Sequence, residues 1–123
     1  MIGYTTLGTN DIQQAGEFYD SLFELIGARR SMSDDTFIAW SIGRGSPGFS
    51  VIKPFDGNAA TVGNGVMIAL AVDSNDKVDA LHAHALELGA ANEGSPGERG
   101  TGFYSAYFRD LDGNKIAAFY YAT

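Results

Sequence analysis

The chain has 123 residues, no cysteine, 16 glycines and a formal net charge of -7, from 8 Lys and Arg against 15 Asp and Glu. That length supports one compact domain with its own core; the lack of thiols removes cysteine nucleophiles, disulfides and Cys-type zinc sites, and the acidic surplus repels a phosphate backbone, so no nucleic-acid partner is expected. No apolar run reaches the roughly 20 residues of a membrane span, and Met1-Ile2-Gly3-Tyr4 is not a basic segment followed by an apolar one. The expectation is a cytoplasmic protein with no membrane partner.

Ile2 to Thr9 alternates in the manner of a strand. Asn10 or Asp11 then offers an N-cap, and Ile12, Ala15, Phe18, Tyr19, Leu22, Phe23 and Ile26 recur at spacings of three and four, which predicts a helix closed by Gly27. Ala28 to Ser33 is a short strand carrying Arg29 and Arg30. Thr36 to Ile42 and Phe49 to Lys53 follow as strands, the second stopped by Pro54. Residues 55–63 are polar and glycine-bearing and read as a linker.

The order then starts again. Val66 to Val72 is a continuous apolar strand, Asp73 or Ser74 caps a helix whose Val78, Leu81, Ala85 and Leu88 keep helical spacing, and Gly89 ends it. Asp11 and Asp73 are 62 residues apart, as are Gly27 and Gly89, the mark of an internal repeat. Asn92 to Gly102, with four glycines and a proline, reads as a long loop, a candidate lid or rim. Phe103 to Tyr121 closes the chain as a β-hairpin turning at Asp110-Leu111-Asp112-Gly113-Asn114. Lys115, Ala117, Phe119 and Tyr121 share one face of its second arm, and Ile116, Ala118 and Tyr120 the other. Both faces are largely apolar, so both call for a cover.

The predicted fold is α+β: two βαβββ modules, about 1–54 and 64–123, in a single domain, their sheets forming a curved mixed surface with the helices outside. The concave side is then the functional side. Leu7-Gly8-Thr9-Asn10-Asp11, Phe18-Tyr19-Asp20, Leu25-Ile26-Gly27-Ala28 and, above all, Tyr107-Phe108-Arg109-Asp110-Leu111-Asp112-Gly113-Asn114-Lys115-Ile116 resemble the vicinal oxygen chelate superfamily of glyoxalase I, bleomycin resistance proteins and extradiol dioxygenases. Leu111 stands where that family usually has proline. The resemblance covers essentially the whole chain and implies the fold far more strongly than any one chemistry.

It also implies four places for metal ligands, which fall by motif spacing on Tyr4, Met67, Ala117 and roughly Val51. None is a His or Glu, and Ala and Val cannot coordinate, so no metal and no cofactor is expected. His82 and His84 lie on the second helix, two residues apart and so on diverging faces. The expected function is binding of a small hydrophobic or aromatic molecule in a concave cavity lined by Tyr4, Trp40, Phe49, Met67, Tyr107, Arg109, Phe119 and Tyr121. Arg109 and Lys115 could anchor an anionic group. The resemblance implies a homodimer. One alternative is a lyase, isomerase or dioxygenase-type enzyme of the same superfamily, with Tyr4 or Glu98 as its acid or base; another is a non-catalytic interaction protein.

Overall fold

In the computed structural model, which describes residues 1–122, one order of elements occurs twice. β1 (Tyr4–Gly8), α1 (Ile12–Phe23), β2 (Arg29–Ser33), β3 (Phe37–Ser41) and β4 (Gly48–Ile52) form the first set; β5 (Ile68–Ala71), α2 (Asn75–Glu87), β6 (Ala91–Glu98), β7 (Phe103–Arg109) and β8 (Lys115–Tyr121) form the second. The two sets are separate compact units that divide between Val62 and Gly63. Each holds a four-stranded mixed sheet, ordered β1-β4-β3-β2 and β5-β8-β7-β6, in which the first strand runs parallel to the last.

In the first unit, Asp11 is extended and accepts a hydrogen bond from the Gln14 amide at 3.0 Å, satisfying a donor that the first helical turn leaves free. Ala15, Phe18, Tyr19, Leu22 and Phe23 form the buried stripe of α1. A single 3-10 turn, Glu24–Ile26, tightens the end, and Gly27 takes the left-handed conformation at φ 71. The stripe meets Ile38 and Trp40 of β3 and Phe49 and Val51 of β4, with the Tyr19 ring 4.7 Å from Phe49 and 5.6 Å from Trp40, centroid to centroid. Each such large side chain contributes about 1.5–3 kcal/mol by burial. Gly16 permits this closeness, since a Cβ there would lie 2.8 Å from Ile38 Cδ1 and 2.7 Å from Arg30 Nη2.

The second unit follows the same logic with different residues. Ser74 caps α2 by accepting from the Lys77 amide at 3.1 Å, and Gly89, at φ 106, ends it. Val78, Leu81 and Ala85 pack on the face formed by Ala106, Phe108, Ile116 and Ala118, all buried. The turn of the β7–β8 hairpin is tied by Asp110, whose Oδ1 accepts from the amides of Asp112 and Asn114, both at 2.9 Å, and whose Oδ2 accepts from Asn114 Nδ2 at 3.1 Å. The four residues Asp110, Asp112, Gly113 and Asn114 are turn formers.

One expectation is corrected. Most of the stretch 92–102, read from its glycines and proline as a long loop, belongs to β6, an antiparallel edge strand on β7. Its pairing breaks register between Asn92 and Gly94 and again between Gly94 and Gly97, and Pro96 lies within the second break. Such irregularities accommodate glycine and proline on an edge, where composition alone reads as loop.

Candidate functional site

In each unit the helix covers one face of the sheet, and within that unit no helix covers the other. Register assigns the side chains to these faces. In the second sheet, Phe108, Ile116, Ala106, Ala118 and Tyr104 face α2, so Phe103, Ser105, Tyr107 and Arg109 of β7, with Lys115, Ala117, Phe119 and Tyr121 of β8, lie on the open face. Ser105 and Ala117 form a small-residue floor, buried under their neighbours. Phe103 and Phe119 stack at 5.4 Å, and Tyr121 meets Phe103 edge-on at 6.0 Å. Arg109 and Lys115 sit opposite each other at the hairpin end.

The cations are concentrated around Tyr107. Lys115 Nζ lies 5.3 Å and the Arg99 guanidinium 5.7 Å from the centroid of its ring. Arg109 pairs with Glu93 at 3.0 Å and donates to the Gly113 carbonyl at 3.2 Å. The Arg109 hydrogen bond lowers the Glu93 pKa below the usual carboxylate value, against a smaller opposing effect of burial, and the charges of Arg109 and Lys115 lower it further. The glycines of β6 make room for this layer: a Cβ on Gly94 would lie 2.8 Å from Tyr107 Cδ2, and one on Gly97 2.8 Å from Arg99 Nη1.

On the first sheet the open face carries Tyr4, Phe37, Met32 and Ile52, with Ala39 and Ser50 as its buried small residues. Tyr4 is two-thirds exposed at 66% and meets Phe37 edge-on at 6.4 Å. Met67 lies just before β5, with 40% of its surface exposed. Tyr4, Tyr107, Arg109, Phe119 and Tyr121 thus stand on open faces, each within its own unit.

Trp40 and Phe49 do not. Both point to the other side of their sheet, beneath α1, where Trp40 is 1% exposed and its indole N–H donates to Asp20 Oδ1 at 2.8 Å. Their role is in the core. Glu98 pairs in register with Tyr104, on the helix side of the second sheet, where Tyr104 donates to Asp79 at 2.6 Å. It therefore faces away from Tyr107 and the aromatic stack. His82 is buried with Nε2 3.0 Å from Asn92 Oδ1, and His84 lies 3.8 Å from Glu87. Phe103 and Phe37, open-face aromatics absent from the predicted lining, could have been found by the same period-two parity that places Phe119 and Tyr121.

The places for metal ligands can now be tested against geometry. Val51 faces α1 and is fully buried; its open-face neighbours on β4 are Ser50, whose hydroxyl is engaged with the Thr5 carbonyl at 2.7 Å, and Ile52. Ala117 is on the open face but has no donor atom. Among the described residues no three His, Asp or Glu side chains are grouped to hold a metal ion. The donor set does not fit a resident cation of the kind the fold commonly carries. A depression of about 470 Å³ does occur in the first unit, lined by Asp20, Glu24, Gly27, Ala28, Arg29 and Arg30, beyond the end of α1 and away from the open face.

Two βαβββ units, each with one sheet face that its own helix leaves uncovered, define the class, and comparison with known proteins agrees. The family model for the Glyoxalase/Bleomycin resistance protein/Dioxygenase superfamily matches residues 1–118, and the chain belongs to that superfamily. A glyoxalase/bleomycin resistance protein from Albidiferax ferrireducens has 32% identity and a TM-score of 0.89, with 99% of both chains covered. A hypothetical protein from S. aureus has 26% identity and a TM-score of 0.76, over 98% of this chain and 92% of that one. A lactoylglutathione lyase from Agrobacterium tumefaciens, at 21% identity, 98% and 92% coverage and a TM-score of 0.73, shares the fold. No curated protein matches the chain. No helix among the described residues is long and apolar enough to cross a membrane.

Proposed function

We propose that this protein binds a small hydrophobic or aromatic molecule on its open sheet faces, without a resident metal ion, as a homodimer in the cytoplasm. The observation that carries the reading is the composition of the open face: Phe103, Tyr107, Phe119 and Tyr121 present apolar rings and phenolic tips where a chelating member of the superfamily needs donors, and Ala117 stands among them. Exposed Ile2, Tyr4, Met32 and Tyr121, together with β1 and β5 as sheet edges, support assembly with a second copy.

The test is a titration of the purified protein with two-ring aromatic compounds, followed by NMR of the ring protons of Phe103, Phe119 and Tyr121. Saturable shifts in those rings are expected. Shifts confined to core residues such as Trp40, or none, would remove the reading, and sedimentation as a monomer would remove the dimer. Turnover of the methylglyoxal–glutathione adduct that depends on added nickel or zinc would replace it with a catalytic one.

A further inference from the structure

The acidic and basic groups of the second unit are segregated. Of its eight acidic residues, Asp73, Asp76, Asp79 and Glu87 belong to α2 or its approach, Glu98 faces the helix side, and Asp110 and Asp112 belong to the hairpin turn. Only Glu93 stands with the open face, paired to Arg109. Three of the unit's four basic residues, Arg99, Arg109 and Lys115, are on that face. Lys115 forms no ion pair with any described residue; its charge rests over the Tyr107 ring. Arg99 likewise has no carboxylate partner among the described residues, donating to the backbone carbonyls of Ser95 at 2.6 Å and Glu98 at 3.4 Å.

Along β7 and β8 the face is graded. At the hairpin end are Arg109 and Lys115; Tyr107 and Ala117 come next, and the stacked Phe103 and Phe119 with Tyr121 occupy the far end, where the Arg99 amide meets the Phe103 carbonyl while its guanidinium reaches back to Tyr107. Lys115 and Phe119 are four residues apart on β8, about 13 Å at the usual rise of a strand. In a chain with a net charge of -7, two cations without a carboxylate partner, Lys115 and Arg99, on one apolar surface favour an anionic ligand there.

We propose that the ligand of the second unit's open face is an amphiphilic anion, whose carboxylate or phosphoryl oxygens are held by Lys115 and Arg99 beside Tyr107 while its apolar body lies along Phe103, Phe119 and Tyr121. This rests on the reading that the face binds an apolar small molecule, and it names the chemistry of that molecule. Charge-assisted hydrogen bonds from an ammonium and a guanidinium reward an anion over its neutral isostere. Glycine at positions 94 and 97 leaves the space that the Tyr107 ring and the Arg99 guanidinium occupy, since a Cβ at either would lie 2.8 Å from them.

The experiment compares naphthoate, naphthyl phosphate and naphthamide by calorimetric titration against the full chain and against Lys115→Met and the double variant Lys115→Met/Arg99→Met. Methionine keeps the apolar stem and removes the charge, and far-UV circular dichroism of each variant checks that it folds. The expected result is that at least one anion binds about tenfold or more tighter than the amide, that the preference falls in the single variant, and that it vanishes in the double variant. Whether the carboxylate or the phosphate leads identifies the anionic group. Equal binding of all three overturns the inference and leaves the apolar reading standing. A preference retained in the double variant overturns the placement at Lys115 and Arg99. Binding by none of the three sinks the apolar reading and the inference with it.

Discussion

Asp20 is the polar residue on which the first unit's core depends most. Its Oδ1 accepts from Trp40 Nε1 at 2.8 Å and from Arg30 Nε at 2.9 Å, while Oδ2 accepts from Arg30 Nη2 at 2.8 Å. Trp40 is 1% exposed, so replacing Asp20 with alanine strands a buried indole N–H, at a cost of about 1–3 kcal/mol. The ion pair adds less. With side-chain exposures of 35% and 44%, it contributes about 0–1 kcal/mol after solvent screening. The expected loss for Asp20→Ala is about 2–3 kcal/mol in urea denaturation followed by far-UV circular dichroism. Asp20→Asn, which keeps an acceptor for the indole, should lose less. A double-mutant cycle with Trp40→Phe isolates the buried bond, with an expected coupling of about 1–2 kcal/mol; a coupling below about 0.5 kcal/mol would refute the assignment.

The same network sets a pH dependence. Burial alone raises the Asp20 pKa, but the hydrogen bonds from Arg30 and Trp40 and the charge of Arg30 together outweigh it and hold the group below its ordinary value. A folded pKa depressed in this way contributes stability that is present above the unfolded value and is lost as pH falls through the folded one. Urea midpoints should therefore fall below pH 3.8, the unperturbed value, and the fall should be smaller in Asp20→Asn. Tyr104 has the opposite sign. Its hydrogen bond to Asp79 raises its pKa above the usual tyrosine value, with burial and neighbouring carboxylate charges adding to the shift. The stability it contributes is complete below the unfolded pKa and disappears as pH rises through the folded one, so phenolate absorbance should show one late-titrating tyrosine that is missing from Tyr104→Phe. Gly94→Val places a Cβ within 2.8 Å of Tyr107 Cδ2 and should cost about 1–3 kcal/mol while altering the near-UV tyrosine spectrum. Exhaustive treatment with a chelator should leave the thermal midpoint unchanged; a drop would reveal a bound ion.

Much of this arrangement is legible in the amino-acid order because its signals are local. The spacing that links Asp11 to Asp73 and Gly27 to Gly89 reappears as two helices of similar length, each ended by a glycine with positive φ. The hairpin is legible for the same reason: period-two alternation fixes that Lys115, Ala117, Phe119 and Tyr121 share a face, and Asp110 identifies the turn. Which face a helix takes is not local. Phe37-Ile38-Ala39-Trp40 is apolar on both sides, so nothing within β3 decides whether Phe37 or Trp40 meets α1; Asp20 and Gly16, on another element, decide it. Val51 missed its face by one residue for the same reason, since motif spacing is blind to strand parity. The edge strand β6 escaped because its glycines, which signal a loop by composition, answer to the bulk of Tyr107 on the neighbouring strand and of Arg99 just past the end of β6 itself.

Each sheet has one regular border and one spoiled border. On β2 the ladder slips between Arg30 and Met32; on β6 it slips twice, and Pro96 withholds a donor. A further strand finds no continuous row of partners there, whereas β1 and β5 pair with β4 and β8 without a break in register. Growth at the β2 and β6 borders is thus disfavoured. An edge whose ladder slips is a poor template for another chain, and in each sheet it is β2 or β6 that is guarded in this way.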